Sequence, residues 1–135
     1  MHKVDIVKLD SKGRILIPID IRRILGLREG MHLLIVLDAE HGEIRLTPFI
    51  DSGTRLAKIT VGLRDIPGAL ARIARILADM DVDLLFSESR TIRRGEEAEW
   101  IAVADLTNCK LDLDDMRERL LTDGEATYVK IEVYK

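Results

Sequence analysis

Apolar positions along this chain fall into two successive patterns separated by a polar stretch near residue 50. At the start, Val4, Ile6, Val7 and Leu9 are apolar while Asp5 and Lys8 are charged, an imperfect alternation that predicts a short strand over residues 4–9. Asp10-Ser11-Lys12-Gly13 carries turn residues, and Ile15, Leu16 and Ile17 then predict a second strand over residues 14–17, able to pair with the first as a hairpin. Pro18 suits the first turn of a helix, with Ile21, Ile24 and Leu25 on one face and Gly26 as its stop. Beyond Arg28-Glu29-Gly30, the run Leu33 to Leu37 and the alternation Glu43, Ile44, Arg45, Leu46 flank Glu40-His41-Gly42 as a second hairpin. The first 48 residues therefore read as ββαββ.

Pro48, Asp51, Ser52 and Gly53 mark residues 49–54 as a linker, and a new unit follows over residues 55–135. Ala57, Ile59, Val61 and Leu63 alternate with Lys58, Thr60 and Gly62, which predicts a strand with one buried face. Arg64-Asp65-Ile66-Pro67-Gly68 turns into a helix whose Leu70, Ile73, Ala74 and Leu77 share one side. Residues 83–91 and 99–105 predict two strands about the turn Arg93-Arg94-Gly95-Glu96. Asp112 can cap a last helix, with Leu111 and Met116 as its staple and Leu113, Met116 and Leu120 as its inner face. Val129, Ile131 and Val133 alternate in a final strand. The order is βαββαβ, a ferredoxin-like arrangement in which helices cover one sheet face.

Size and charge sharpen this division. A unit of fewer than fifty residues buries too small a share of its surface to stand alone without disulfides, metal or a partner. The single Cys109 cannot form an internal disulfide, and His2, His32 and His41 are scattered without ligand spacing. The first unit is thus expected to share its core with a second copy. The whole chain carries a net charge of -3, which alone would discourage a nucleic-acid partner. Up to Arg28, however, seven Lys and Arg face three Asp, whereas from Asp51 onward 13 basic residues face 17 acidic ones. Positive charge gathers at one end of an acidic protein. No apolar run approaches the ~18 residues that span a bilayer, and the start lacks the apolar stretch of a secretory signal, so no membrane association and a cytoplasmic location are expected.

The stretch from Val7 to Leu27, with Gly13-Arg14, the apolar triplet Ile15-Leu16-Ile17, Pro18, and Arg22-Arg23 before Leu25-Gly26, closely resembles the AbrB/MazE/SpoVT family of transcription factors and antitoxins over roughly residues 4–48. That resemblance implies a swapped-hairpin β-barrel dimer that binds DNA. Residues 56–133 look like an ACT domain, carried by Asp65-Ile66-Pro67-Gly68-Ala69-Leu70 and by the passage into Val82-Asp83-Leu84. ACT domains usually pair side by side, and many bind amino acids near the first strand-helix loop at the pair's interface. The fold class expected is therefore mixed α+β: an N-terminal swapped-hairpin barrel and a C-terminal ferredoxin-like ACT domain.

Lys8, Lys12, Arg14, Arg22 and Arg23 match, or sit beside, basic positions that the family uses at DNA. Lys and Arg neutralise phosphates and release counterions whatever the base sequence, so these five are the candidate contacts to double-stranded DNA. Asp65, Ile66, Pro67, Gly68 and Asp83 are the candidate ligand residues of the ACT half. Many amino-acid-binding ACT domains carry Asn where this chain has Asp83. A carboxylate there repels an amino acid's carboxylate and suits a cation or an ammonium group. Two alternatives stay open for this half, an amino-acid sensor and a purely structural pair.

No nucleophile, base and orienting group fall in a recognisable pattern, and no glycine loop cradles a phosphate, so neither enzymatic activity nor a cofactor or metal is expected. Asp112, Asp114 and Asp115 read as acids favoured at a helix start. The leading expectation is a DNA-binding transcriptional regulator, dimeric or tetrameric, with an amino acid as its candidate effector. The alternatives are an antitoxin, and an amino-acid-binding regulatory subunit that does not touch DNA.

Overall fold

The computed structural model describes residues 1–49 and 55–135. It separates into two compact units, Met1–Gly53 and Thr54–Lys135. The predicted linker, apart from Phe49, lies outside the described residues.

The N-terminal unit contains helix α1 (Ile19–Leu25) and a two-stranded antiparallel sheet, β1 (Leu33–Asp38) with β2 (Glu43–Pro48). Pro18 precedes α1 and Gly26 closes it in the left-handed conformation, φ 67°, with the Gly26 and Leu27 N–H groups returning to carbonyls of the last turn. The hairpin register runs from Leu33 opposite Pro48 to Asp38 opposite Glu43. These elements agree with the apolar pattern.

The strands expected over residues 4–9 and 14–17 are not formed; only the turn between them is, closed by Asp10 N–H on the Arg14 carbonyl at 3.0 Å and Gly13 N–H on the Asp10 carbonyl at 3.1 Å. An alternating apolar face stabilises a strand when a second layer lies against it, and an isolated hairpin is marginal in water. Here that layer is missing within the chain: Val4 and Ile6 are more than nine-tenths exposed, and no described residue before Leu56 is buried.

The C-terminal unit is a four-stranded antiparallel sheet, in order β4-β5-β3-β6, crossed by two helices. Its elements are β3 (Leu56–Arg64), α2 (Ala69–Asp79), β4 (Asp83–Arg93), β5 (Glu97–Asp105), α3 (Leu113–Thr122) and β6 (Tyr128–Val133). The inner face of β3 is as predicted, with Ala57, Ile59, Val61 and Leu63 buried beneath the helices beside Trp100, Ala102 and Ala104 of β5, while on the other face Gly62 is also buried, under the Tyr128 ring. Burying the larger of these, Ile59, Val61 and Leu63, stabilises by roughly 1.5–3 kcal/mol each.

The buried side of α2 differs from expectation. Ile73, Ile76, Leu77 and the following Met80 face the core, while Leu70 is exposed. The face keeps its i, i+3, i+4, i+7 spacing but begins one turn later, at Ile73. The start of α3 follows the predicted cap, with the Asp112 carboxylate accepting from Asp115 N–H at 2.8 Å and Met116 and Leu120 fully buried. Strand β4 forms the edge of the sheet and is exposed along most of its length.

Candidate functional site

Five of the sequence-predicted residues sit in the N-terminal unit. Lys8 is exposed ahead of the first turn and Lys12 within it. Arg14 closes that turn, and its guanidinium does not hang free. Its Nε–H donates to Asp10 Oδ2 at 2.8 Å, while Asp10 Oδ1 accepts from the Lys12 and Arg14 backbone N–H groups at 2.8 and 2.9 Å. These donors, first the Arg14 backbone and then its side chain, hold the Asp10 carboxyl below the usual carboxylate range. Gly13 supplies the positive φ of 77° that lets the chain reverse inside this ring of hydrogen bonds.

Arg22 and Arg23 follow on α1. Arg23 is exposed as expected, but Arg22 is half-buried and donates from Nε to the Ile17 carbonyl at 3.0 Å. Two adjoining clefts meet at this side chain. One, of about 310 Å³, runs past Ile17, Leu27, Met31 and Leu33; the other, of about 500 Å³, is bounded by Ile19, Arg23 and Gly26. Both are also lined by Arg28, which adds to the N-terminal positive charge but is not one of the five candidate contacts. The structure therefore divides these cations into a loop group, Lys12 and Arg14, and a cleft group, Arg22 and Arg23 on α1 with Arg28 beyond its end.

In the C-terminal unit the candidate ligand loop lies between β3 and α2. Gly68 takes φ 85° at the start of α2, where no side chain caps the helix and no acid occupies its first turn. Exposed backbone N–H groups at such a helix start suit an anionic group. Asp65 has a different task. Its Oδ2 accepts from Gly95 N–H at 2.6 Å, and its own N–H donates to the Glu96 carbonyl at 3.1 Å. The carboxylate thereby ties the loop to the β4–β5 turn. Ile66 and Pro67 remain exposed.

Asp83 is not brought to this loop within one chain. It begins β4 opposite Asp105, which itself pairs with Leu56 at the start of β3, whereas the loop follows Arg64, the partner of Glu97. Eight rungs of β5 separate the two ends, roughly 26 Å at strand spacing.

One cluster escaped the sequence reading. Arg90, Glu99, Gly62 and Tyr128 occupy one rung across all four strands. The Tyr128 hydroxyl donates to Glu99 Oε2, and Arg90 Nη2 donates to Glu99 Oε1 at 2.9 Å. The Tyr128 hydroxyl and then Arg90 hold the Glu99 carboxyl below its ordinary range, and the same bond pushes the Tyr128 hydroxyl up. The Tyr128 ring crosses Gly62 so closely that a Cβ there would collide with it. Cross-strand register was the missing signal, since these residues are far apart in sequence.

Among the described residues no three His, Cys, Asp or Glu are grouped to hold a metal ion, and no helix is long and apolar enough to cross a membrane.

Comparison with known proteins places one family on this geometry. Residues 57–123 match the ACT domain family, a span that includes the β3–α2 loop and leaves the N-terminal unit outside it. No curated protein matches the chain. Among solved structures, an ACT domain protein from Streptococcus pneumoniae is 22% identical, with 61% of this chain and 90% of that one covered and a TM-score of 0.47. A formyltetrahydrofolate deformylase from Pseudomonas putida is 18% identical over 59% of this chain and 28% of its own, with a TM-score of 0.46. The chemotaxis kinase CheA P2 domain, in complex with the response regulator CheY from Thermotoga maritima, is 15% identical over 61% of this chain and 100% of its own, with a TM-score of 0.45. On the family match alone, the C-terminal unit of this chain contains an ACT domain, spanning residues 57–123.

Proposed function

We propose that this protein is a DNA-binding transcriptional regulator in which two copies of the N-terminal unit share one core and the ACT domain adds a second pairing surface and a small-ligand site. The observation that carries this reading is the pairing of two properties in one unit. None of the described residues of the N-terminal segment is buried, and the segment presents Lys8, Lys12, Arg14, Arg22 and Arg23 from an otherwise acidic chain.

Strands over residues 4–9 and 14–17 form when a second copy lies against Val4, Ile6, Leu9 and Leu16, as in the swapped-hairpin barrel of the AbrB/MazE/SpoVT family. That pairing places two sets of cations on one face of a duplex, where phosphate contacts and groove shape supply most of the affinity.

The ACT domain supports a regulatory role through the loop at Gly68. A two-fold axis normal to the sheet reverses strand direction, so side-by-side pairing at β4 brings the Asp83 end of one copy to the loop end of the other. The separation of these residues within one chain then becomes a site at the interface, with backbone N–H groups for a carboxylate and Asp83 for an ammonium. An amino acid carries both groups.

The test is a duplex-binding titration at several salt concentrations, run with and without each amino acid. The logarithm of affinity is expected to fall with the logarithm of salt by about 0.9 per phosphate neutralised. Arg14→Ala and Arg22→Ala proteins that bind duplex as well as the parent would overturn the assignment of contacts. No duplex affinity, together with heat stabilisation by one amino acid, would favour instead a regulatory subunit that acts on an enzyme.

A further inference from the structure

Asp10 is an acid placed in the most cationic part of the chain, between Lys8 and Lys12. On a surface that meets a polyanion, such a charge works against attraction. Its geometry supplies a reason for its presence. One carboxylate accepts three hydrogen bonds from a five-residue loop, two from backbone N–H groups and one from the Arg14 side chain.

The bond to Arg14 is selective in what it uses. It engages Nε–H and leaves the four N–H bonds on the two terminal nitrogens free of Asp10, on a side chain that is 70% exposed. Those terminal nitrogens form the planar fork that reads a guanine edge or grips a phosphate. An unrestrained arginine gives up rotamer freedom on being fixed, and a side chain already held at Nε gives up less.

Resting on the DNA-binding reading above, we infer that Asp10 is a positioning residue: it aims the Arg14 fork outward and fixes the loop that presents it, so that Arg14 makes a geometry-dependent contact to duplex DNA and not a diffuse electrostatic one.

This inference makes two effects of one substitution point in opposite directions. Asp10→Asn keeps an oxygen for the backbone N–H groups of Lys12 and Arg14, so the turn survives, but it removes the charge that holds Arg14. Loss of a negative charge by itself strengthens attraction to any duplex. Loss of aim weakens only a contact that depends on geometry.

The experiment uses the full chain and two probes: an unselected random-sequence duplex pool, and a duplex enriched from that pool on the parent protein. Asp10→Asn is expected to bind the enriched duplex about tenfold more weakly, in the range of one lost directed contact, while its affinity for the pool does not fall. In an Arg14→Ala background the same substitution is expected to have no weakening effect, because nothing is left to aim. Asp10→Glu, which keeps the charge at a longer reach, is expected to recover part of the loss.

Asp10→Asn binding the enriched duplex as tightly as the parent, or weakening enriched duplex and pool by the same factor, would show that Asp10 aims nothing. Undiminished weakening in the Arg14→Ala background would do the same. A parent protein that binds neither probe would sink the DNA-binding reading itself and this inference with it, and that result is distinct from the others.

Discussion

The two units of this chain use similar aliphatic side chains to opposite ends. In the ACT domain, Ile59, Ile73, Leu77, Met116 and Leu120 are fully buried between one sheet and two helices. In the N-terminal unit, Val4, Ile6, Leu9, Leu16, Ile35 and Leu37 are all exposed, although they recur at strand-like intervals. The difference lies in the number of layers. βαββαβ supplies both a sheet and a cover within one chain, so alternation is at once converted into a core. A helix of two turns and one hairpin supply no cover, so the same alternation is left exposed. Apolar alternation is present in both halves, but only the ACT domain closes it into a core within one chain.

Substitutions at corresponding apolar positions should therefore behave differently. The largest effect is expected for Leu77→Ala, which opens a cavity in a closed core and should destabilise the ACT domain by about 2–5 kcal/mol. Thermal denaturation followed by circular dichroism reads it, and the loss should not depend on protein concentration. Ile6→Asp should leave that transition in place and act on association, raising the dissociation constant of the N-terminal pairing by roughly ten- to a hundredfold, as expected for one anchor of 1.5–3 kcal/mol. Equal and concentration-independent losses from both substitutions would erase the distinction between the units.

Within the ACT domain the contrast can be refined. Gly62→Ala places a Cβ against the Tyr128 ring, and the shift it forces on β6 should cost about 1–3 kcal/mol in a denaturant titration. Asp112→Ala removes the α3 cap at an exposed position and should cost about 1 kcal/mol by the same measurement.

The smallest expected effect is one of pH. Folding lowers the Glu99 pKa, so its contribution is fully present above the unfolded carboxylate range and is lost as pH falls through the folded value. Glu99→Gln should therefore lower stability slightly at neutral pH, leave it nearly unchanged at low pH, and so flatten the acid side of the stability profile.

Most of the ACT half was legible in advance because its signals are local. Period-two alternation marked β3, the Asp112 cap marked the start of α3, and Gly95 marked the β4–β5 turn. Two features depended on spatial neighbours and were not legible: the later onset of the buried face of α2, which exposes Leu70, and the Arg90–Glu99–Tyr128 rung, which only register brings together. Asp65 could be placed in its loop, but its bond to Gly95 reaches thirty residues along the chain.

In the N-terminal half, α1 and the β1–β2 hairpin followed from Pro18, Gly26 and Gly42. The first two strands did not form because apolar alternation states which side of a strand seeks cover, and says nothing of whether the same molecule provides it. The cationic residues were found by charge count. The bonds that hold Arg14 and Arg22 required coordinates, although an Asp four residues before an Arg around a Gly is a pattern that could have suggested the first.

The central claim is that residues 4–17 become ordered strands against a second copy. Amide hydrogen exchange of the full chain, measured at increasing protein concentration, tests it most directly. Protection of the backbone N–H groups of residues 4–9 and 14–17 is expected to appear as the chain associates. Exchange of those amides at the rate of an open chain, in a sample that is fully associated, would contradict the account.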